Sequence, residues 1–129
     1  MFDIILLDIP NNPPLEFCLG AMKYSHVGFF TATERIEAPS NMIRMLDFAS
    51  SVGISTAKFT SVILMNTQDI NYDYKGFKEF GFNIVASLPL IKAAYAYSLE
   101  GKLYVRDNPL MNKYFLREMR RLADILGNQ

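Results

Sequence analysis

The chain has 129 residues, the usual length of one domain, and we expect residues 1–129 to fold as a single unit. Hydrophobic residues make up 50% of the chain and aromatic residues 13%, a composition that argues against intrinsic disorder. Thirteen basic residues balance thirteen acidic ones, so the chain lacks the positive excess that general binding to nucleic acid requires.

The single cysteine and the short apolar segments indicate the cellular location of the protein. Cys18 has no second cysteine with which to form an internal disulfide or a structural zinc site. The apolar run Ile4–Ile9 lies among Asp3 and Asp8 and is followed by Pro10, which is unlike a signal peptide. No segment approaches the ~20 apolar residues that cross a bilayer. We therefore expect a soluble, cytoplasmic protein with no membrane contact and no bound metal or cofactor.

The first half of the chain predicts two strands and two helices. Phe2–Ile9 is a continuous apolar run without alternation, which favours a strand buried on both faces. Residues 15–26 are compatible with a short helix, and the aromatic and β-branched content of Val27–Thr33 predicts a second strand. A helix with one apolar face follows, with Ser40 as its predicted N-cap and Gly53 as its predicted C-terminal stop.

Strands and helices continue to alternate in the second half. Thr60–Met65 and Phe82–Leu88 predict two more buried strands. Between them, Lys75–Phe80 predicts a short helix that ends at Gly81. Strands that alternate with helices favour an α/β fold, and we expect three layers around a mostly parallel sheet.

The last third of the chain predicts a hairpin and a closing helix. Ala94–Arg106 carries two alternating runs around Glu100-Gly101, which is the signal of a two-residue β-hairpin protruding from the domain. Asp107 or Asn108 then caps a C-terminal helix, with Pro109 in its first turn.

Two segments of the second half resemble a known family. Ser61–Leu90 reads SVILMNTQDINYDYKGFKEFGFNIVASLPL, and the end of the chain reads NPLMNKYFLREMRRLADILGN. These segments resemble GTP cyclohydrolase II, which has a strand, a Thr-Asn-Asn-Pro-Lys-Lys loop, a short helix and a Gly-Ile-x-Ile-Val-x-x-x-Pro-Leu strand. The closing residues are similar to its C-terminal helix, with Tyr114 at the position of the family's tyrosine. With the Met42–Gly53 helix, which matches a family helix ending in Leu-Gly-Val, the likeness covers about two thirds of the chain.

The chain departs from that family where the family's chemistry lies. The resemblance implies a three-cysteine zinc motif in the N-terminal part, but Cys18 stands alone. The lysine pair of the loop is replaced by Asp69 and Ile70, and an acidic residue there repels a triphosphate. Asp124 replaces the histidine of the family's Gly-His-Leu-Leu ending. We therefore expect no zinc-dependent ring opening of GTP.

The N-terminal half offers two weak candidates for catalysis. His26 is the single histidine and a potential general base, although a lone histidine is more often a structural hydrogen-bonding residue. Cys18 is a potential nucleophile paired with His26, although a lone cysteine between Phe17 and Leu19 is more often a small buried apolar residue.

Three other sets of residues are candidates for binding. Asn66, Thr67 and Gln68 follow a buried strand, where α/β sheets bind ligands, so they either recognise a base edge or ribose or cap the next helix. A row of arginines on the closing helix either clamps a phosphate or an acidic partner, or forms a solvated face with Glu118 and Asp124 as its ion-pair partners: Arg117, Arg120 and Arg121. The tyrosines of the predicted hairpin either form a protein interface or pack on the domain's own core: Tyr95, Tyr97 and Tyr104.

Two functions follow from these patterns. The first is a degenerate GTP cyclohydrolase II-like domain that has lost zinc chemistry and binds a purine nucleotide or a phosphometabolite through Asn66, Thr67, Gln68, Arg117 and Arg121. The alternative is a non-enzymatic assembly domain that forms a homo-oligomer or docks on a partner protein through the tyrosine-rich segment and the closing helix.

Overall fold

The computed structural model describes residues 2–9, 15–68 and 74–128 of a mixed α/β protein. The elements follow one another in the order α1 (Leu15–Tyr24), β1 (Phe29–Ala32), α2 (Ala38–Ser51), β2 (Ser61–Thr67), α3 (Lys75–Glu79), β3 (Asn83–Pro89), α4 (Lys92–Leu99), α5 (Tyr104–Asp107), a 3₁₀ turn (Pro109–Asn112) and α6 (Lys113–Gly127).

Three parallel strands form one sheet in the order β1-β2-β3, which confirms the α/β class. The strands predicted from Thr60–Met65 and Phe82–Leu88 are therefore neighbours in that sheet. β3 forms one edge, and its register against β2 shifts by one residue: Val62 is opposite Ile84, whereas Ile63 is opposite Ala86. Val85 is thus the extra residue of a β-bulge.

Helices pack on both faces of the sheet. On one face, Met42 of α2 and Phe77 of α3 form a buried cluster with Val62 and Leu64 of β2. On the other face, Leu122 of α6 packs against β3, with these residues around it: Phe29, Ile63, Val85, Ala86 and Ile125. Val62 and Leu64 of β2 belong to the first cluster and Ile63 to the second, so β2 contributes apolar side chains to both.

Glycine residues end two of the helices as the sequence predicts. Gly53 and Gly81 both have a φ of +83°, a conformation that residues with a Cβ adopt at a cost. At the end of α2, the N–H of Ile54 donates to the carbonyl of Ala49 at 3.0 Å and the N–H of Gly53 donates to the carbonyl of Ser50 at 3.0 Å. This pattern is a Schellman motif, which satisfies carbonyls that the helix leaves unpaired.

Two predictions about helix starts are wrong. Ser40 lies inside α2, which begins at Ala38 with Glu37 in the N-cap position; the hydroxyl of Ser40 donates to the carbonyl of Glu37 at 3.0 Å. Pro39 fits the first turn because that turn leaves its N–H groups unpaired. The closing helix α6 begins at Lys113, and the residues from Pro109 form the 3₁₀ turn instead.

The predicted hairpin of Ala94–Arg106 is also wrong, because these residues form α4 and α5. Glu100-Gly101 is a helix end: Gly101 has a φ of +72°, and the N–H of Lys102 donates to the carbonyl of Tyr97 at 2.9 Å. The Schellman motif and the two-residue hairpin turn both need a residue with positive φ. The alanines of α4 favour the helix.

The predicted buried strand at Phe2–Ile9 is wrong as well. These residues belong to no helix or strand, and residues 2–8 are exposed. An apolar strand is stable only where neighbouring strands and covering helices bury it, and β1 and β3 form the edges of the sheet without it. The predicted loop residues Asp69 and Ile70 lie outside the described residues.

Candidate functional site

A cleft of about 300 Å³ runs along the outer edge of β3, between α3 and α6. Its lining combines backbone and side chains of the edge strand with polar and aromatic side chains of the two helices: Tyr74, Lys78, Asn83, Ile84, Ala86, Ser87, Tyr114, Glu118 and Arg121. The volume is at the lower end of the range for small-molecule sites.

Glu118 is the organising residue of the cleft. It is a buried carboxylate of α6, 2% exposed. Oε2 of Glu118 accepts a hydrogen bond of 3.1 Å from the backbone N–H of Ser87. That amide belongs to the edge strand, so the carboxylate takes the place that a further strand would occupy.

Glu118 also positions an arginine at the cleft. Nη1 of Arg121 donates to both carboxylate oxygens of Glu118 at 3.2 Å, and the Arg121 side chain remains 57% exposed. One nitrogen of the guanidinium is thus fixed by a buried anchor, while other N–H donors of the same group are open to a ligand. The sequence predicts Arg121 as a binding residue and Glu118 as an exposed partner, whereas Glu118 is buried and anchors Arg121.

The charge around the cleft is positive. Arg117 lies beside Arg121, with its Nε 3.9 Å from Oε1 of Glu118 and its guanidinium stacked 4.8 Å above the ring of Tyr114. Lys78 of α3 lines the opposite wall. Three cations therefore surround one carboxylate, in a chain whose net charge is zero. Such a local excess favours an anionic ligand.

A second polar group lies at the carboxyl end of the sheet. Thr67 is paired with Pro89, and its carbonyl accepts from the N–H of Leu90 at 3.1 Å. Gln68 donates its backbone N–H to Oε2 of Glu34 at 3.2 Å, while Oε1 of Glu34 is buried without a hydrogen-bond partner among the described residues. Glu34 was not predicted as a site residue; it follows β1 as Gln68 follows β2.

Asn66, at this end of β2, has an unusual backbone. Its φ is +55°, the left-handed region that asparagine tolerates better than most residues with a side chain. Its side chain is exposed. Because non-glycine residues with positive φ are uncommon and cluster at binding sites, this conformation motivates a functional test of the position.

The structure does not place all predicted ligand-binding residues in one cleft. Arg121 lines the cleft at the edge of β3 and Arg117 lies beside it. Asn66, Thr67 and Gln68 do not line that cleft and lie at the carboxyl end of β2.

His26 and Cys18 lie near the start of the fold without a shared contact. Cys18 lies inside α1 and is half-buried, and His26 is exposed in the bend before β1. Cys18 lies six positions before the last residue of α1, Tyr24, which is about 9 Å of helical rise. Among the described residues no hydrogen bond joins the two side chains, so nothing in this arrangement identifies a nucleophile and its base.

The three tyrosines of the predicted interface divide into two environments. The rings of Tyr97 and Tyr104 pack edge to face with centroids 4.8 Å apart, which holds α5 against α4. Tyr95 points into solvent and is 72% exposed.

In residues 2–9, 15–68 and 74–128, no three His, Cys, Asp or Glu side chains are grouped as ligands for one metal ion. Across the same ranges, no helix is both long and apolar enough to cross a bilayer. No protein-family model, no curated protein and no solved structure matches the chain.

Proposed function

We propose that this chain is a degenerate GTP cyclohydrolase II-like domain that binds a purine nucleotide or a phosphometabolite without zinc chemistry. The anionic group of the ligand lies in the cleft between α3, β3 and α6. The observation that supports this function is the Arg121 guanidinium, held at the cleft by two 3.2 Å contacts with a buried carboxylate. A donor fixed before the ligand arrives loses little freedom on binding.

The lining of the cleft fits a phosphorylated ligand with an aromatic base. Lys78 and Arg121 supply positive charge from opposite walls. Tyr74 and Tyr114 line the same cleft, and tyrosine rings are surfaces on which a purine stacks. The backbone of β3 adds polar groups for hydrogen bonds between them.

The proposed ancestry is supported by the order of the second half. β2, α3 and β3 follow one another as the resembling segment of GTP cyclohydrolase II does, with β2 and β3 parallel in one sheet. The ancestry also implies a three-layer domain, and packing clusters on both faces of the sheet favour that arrangement.

In this proposal Asn66, Thr67 and Gln68 make a separate contact with the ligand at the carboxyl end of the sheet. Glu34 extends that group, because its buried Oε1 has no hydrogen-bond partner in residues 2–9, 15–68 and 74–128 and is an acceptor for an N–H donor such as the Watson–Crick edge of guanine. Loss of ligand binding in Asn66→Ala or Glu34→Gln, with the fold intact, is the expected result.

The test is a titration of GTP, GDP, guanosine and inorganic pyrophosphate against thermal unfolding. A ligand at ~100 times its dissociation constant stabilises the folded chain by ~2.7 kcal/mol. We expect Lys78→Ala and Arg121→Ala to abolish the stabilisation by GTP. Lys102→Ala is the matched control, because Lys102 is an exposed lysine outside the cleft. No stabilisation of the wild type by any of these compounds at millimolar concentration, or equal stabilisation of all variants, contradicts the proposal.

A second candidate function is assembly, favoured by a surface that we call the α4–α5 surface. It consists of large apolar side chains on and around the two helices, all between 62% and 80% exposed: Tyr95, Leu99, Leu103, Leu110 and Met111. Neither α4 nor α5 buries any of its residues. Light scattering tests this function. We expect the wild type to be an oligomer and Leu99→Asp to dissociate it. A monomeric wild type contradicts assembly between copies of this chain.

A further inference from the structure

The N-terminal segment, residues 2–9, is left exposed by the part of the chain that the structure describes. Its large apolar side chains are between 54% and 81% exposed: Phe2, Ile4, Ile5, Leu6 and Leu7. Exposed apolar side chains that are contiguous mark an interaction site, because their burial is what drives association. The α4–α5 surface is a second such patch in the same molecule.

The two patches have opposite charges. The N-terminal segment carries Asp3 and Asp8 and no basic residue, a net charge of −2. Residues 92–113, which contain the α4–α5 surface, carry four basic and two acidic side chains, a net charge of +2: Lys92, Lys102, Arg106 and Lys113 against Glu100 and Asp107. Charges of opposite sign steer association and fix its register.

We propose that the N-terminal segment of one copy covers the α4–α5 surface of a second copy. This inference rests on the second candidate function, assembly, and names its partner. Two copies exchange their segments reciprocally, since a two-fold arrangement buries both patches on both chains and leaves none exposed. Pairing of two N-terminal segments with each other is disfavoured, because an antiparallel pair centred between Ile5 and Leu6 sets Asp3 opposite Asp8.

An anionic membrane is a weaker match to these patches than a second copy. The basic residues of the α4–α5 surface suit anionic lipids, but the two aspartates of the N-terminal segment are repelled by them. A second copy satisfies both patches at once.

Sedimentation velocity of the full chain tests the proposal. We expect the wild type to be a dimer, and we expect Ile5→Asp and Leu99→Asp each to be monomeric because each introduces a charge into the proposed contact. Ile36→Asp is the matched control: Ile36 is 94% exposed and belongs to neither patch, so this variant should remain dimeric. Asp3→Lys together with Asp8→Lys should weaken the dimer at least tenfold.

Cysteine cross-linking shows which segments meet. In a Cys18→Ser background, Leu6→Cys copies are mixed with Leu110→Cys copies, so that any disulfide between the two types joins different chains. We expect a covalent dimer in the mixture that exceeds the amount formed by either variant alone.

The outcomes separate this inference from the function on which it rests. If Leu99→Asp dissociates the dimer while Ile5→Asp does not, assembly stands and the role of the N-terminal segment is overturned. A monomeric wild type overturns both. A wild type that is monomeric in solution but sediments with vesicles containing phosphatidylserine identifies a lipid surface as the occupant and also overturns the inference.

Discussion

The backbone N–H of Ser87 and the carboxylate of Glu118 are joined by a hydrogen bond of 3.1 Å that links the edge strand β3 to α6. Both groups are buried. The bond keeps an edge amide paired within the chain, and the same carboxylate fixes Arg121. One side chain therefore serves the stability of the sheet edge and the geometry of the cleft together.

We expect Glu118→Ala to lower the free energy of unfolding by about 2 kcal/mol. The substitution leaves the N–H of Ser87 buried without an acceptor, which costs about 1–3 kcal/mol, and the partly exposed Arg121 adds little because water replaces its partner. Urea denaturation of the two proteins measures the difference.

The matched control for Glu118 is Glu79→Ala. Glu79 pairs with Lys75 at 3.6 Å on the surface of α3, and an exposed pair four residues apart contributes about 0.3–0.5 kcal/mol. Equal losses of unfolding free energy in the two variants would show that the buried hydrogen bond to Ser87 contributes no more than an exposed ion pair.

Gly20 and Gly101 should respond to alanine with opposite signs. Gly20 lies inside α1 with open space where a Cβ would be, so Gly20→Ala should raise the free energy of unfolding by about 0.5–1 kcal/mol. Gly101 has a φ of +72°, and Gly101→Ala should lower it by about 1–2 kcal/mol. Chemical denaturation monitored by circular dichroism measures both; the same sign for both would contradict these backbone conformations.

Gly28 and Phe59 should show a steric coupling. A Cβ on Gly28 would overlap the ring of Phe59, which is buried against Phe30 with ring centroids 5.9 Å apart. We expect Gly28→Ala to destabilise the fold by about 1–3 kcal/mol. Combining it with Phe59→Leu should cost at least 0.5 kcal/mol less than the sum of the two single changes, as a double-mutant cycle would measure. Additive losses would rule out the overlap.

Asn66 tests the strained end of β2. At a φ of +55°, we expect Asn66→Val to lower the free energy of unfolding by about 1–2 kcal/mol, because a β-branched side chain clashes in this region. Asn66→Gly should change it by less than about 0.5 kcal/mol. Since the Asn66 side chain is exposed, a large loss in the glycine variant would point to a side-chain contact instead of a backbone effect.

The sequence was sufficient for the α/β class and, apart from the start of α2, for the elements between Ala38 and Pro89, because the local sequence signals there agree with the burial of the residues. The apolar runs that predict β2 and β3 pair in one sheet, and Gly53 and Gly81 end the helices before each strand. At Gly101 a glycine led to the wrong prediction of a hairpin, because Glu100-Gly101 suits a hairpin turn and a helix end equally. The alanines of α4, which precede Gly101, favour the helix end.

The candidate site was only partly predictable. The sequence pointed to Arg121, but Glu118 was placed on the solvated face of the closing helix as a surface partner of the arginines. Its spacing carried a usable signal, since Glu118 lies three residues after Phe115 and four before Leu122, on the apolar side of the helix. Lys78 and Glu34 gave no such signal, because their role depends on which elements meet in space.

Val85, the extra residue of the bulge in β3, has no pairing partner in β2. Val62 pairs with Ile84 and Ile63 pairs with Ala86, so the two partners in β2 are consecutive residues while Val85 lies between their partners in β3. Deleting Val85 would therefore leave both pairs intact. A chain one residue shorter at this point would lose the burial of one valine and keep its ladder. Few positions in a parallel strand with a neighbour allow a change in length, and the two residues that flank this one, Ile84 and Ala86, line the cleft. Such a change would therefore reshape the space for a ligand without altering the sheet.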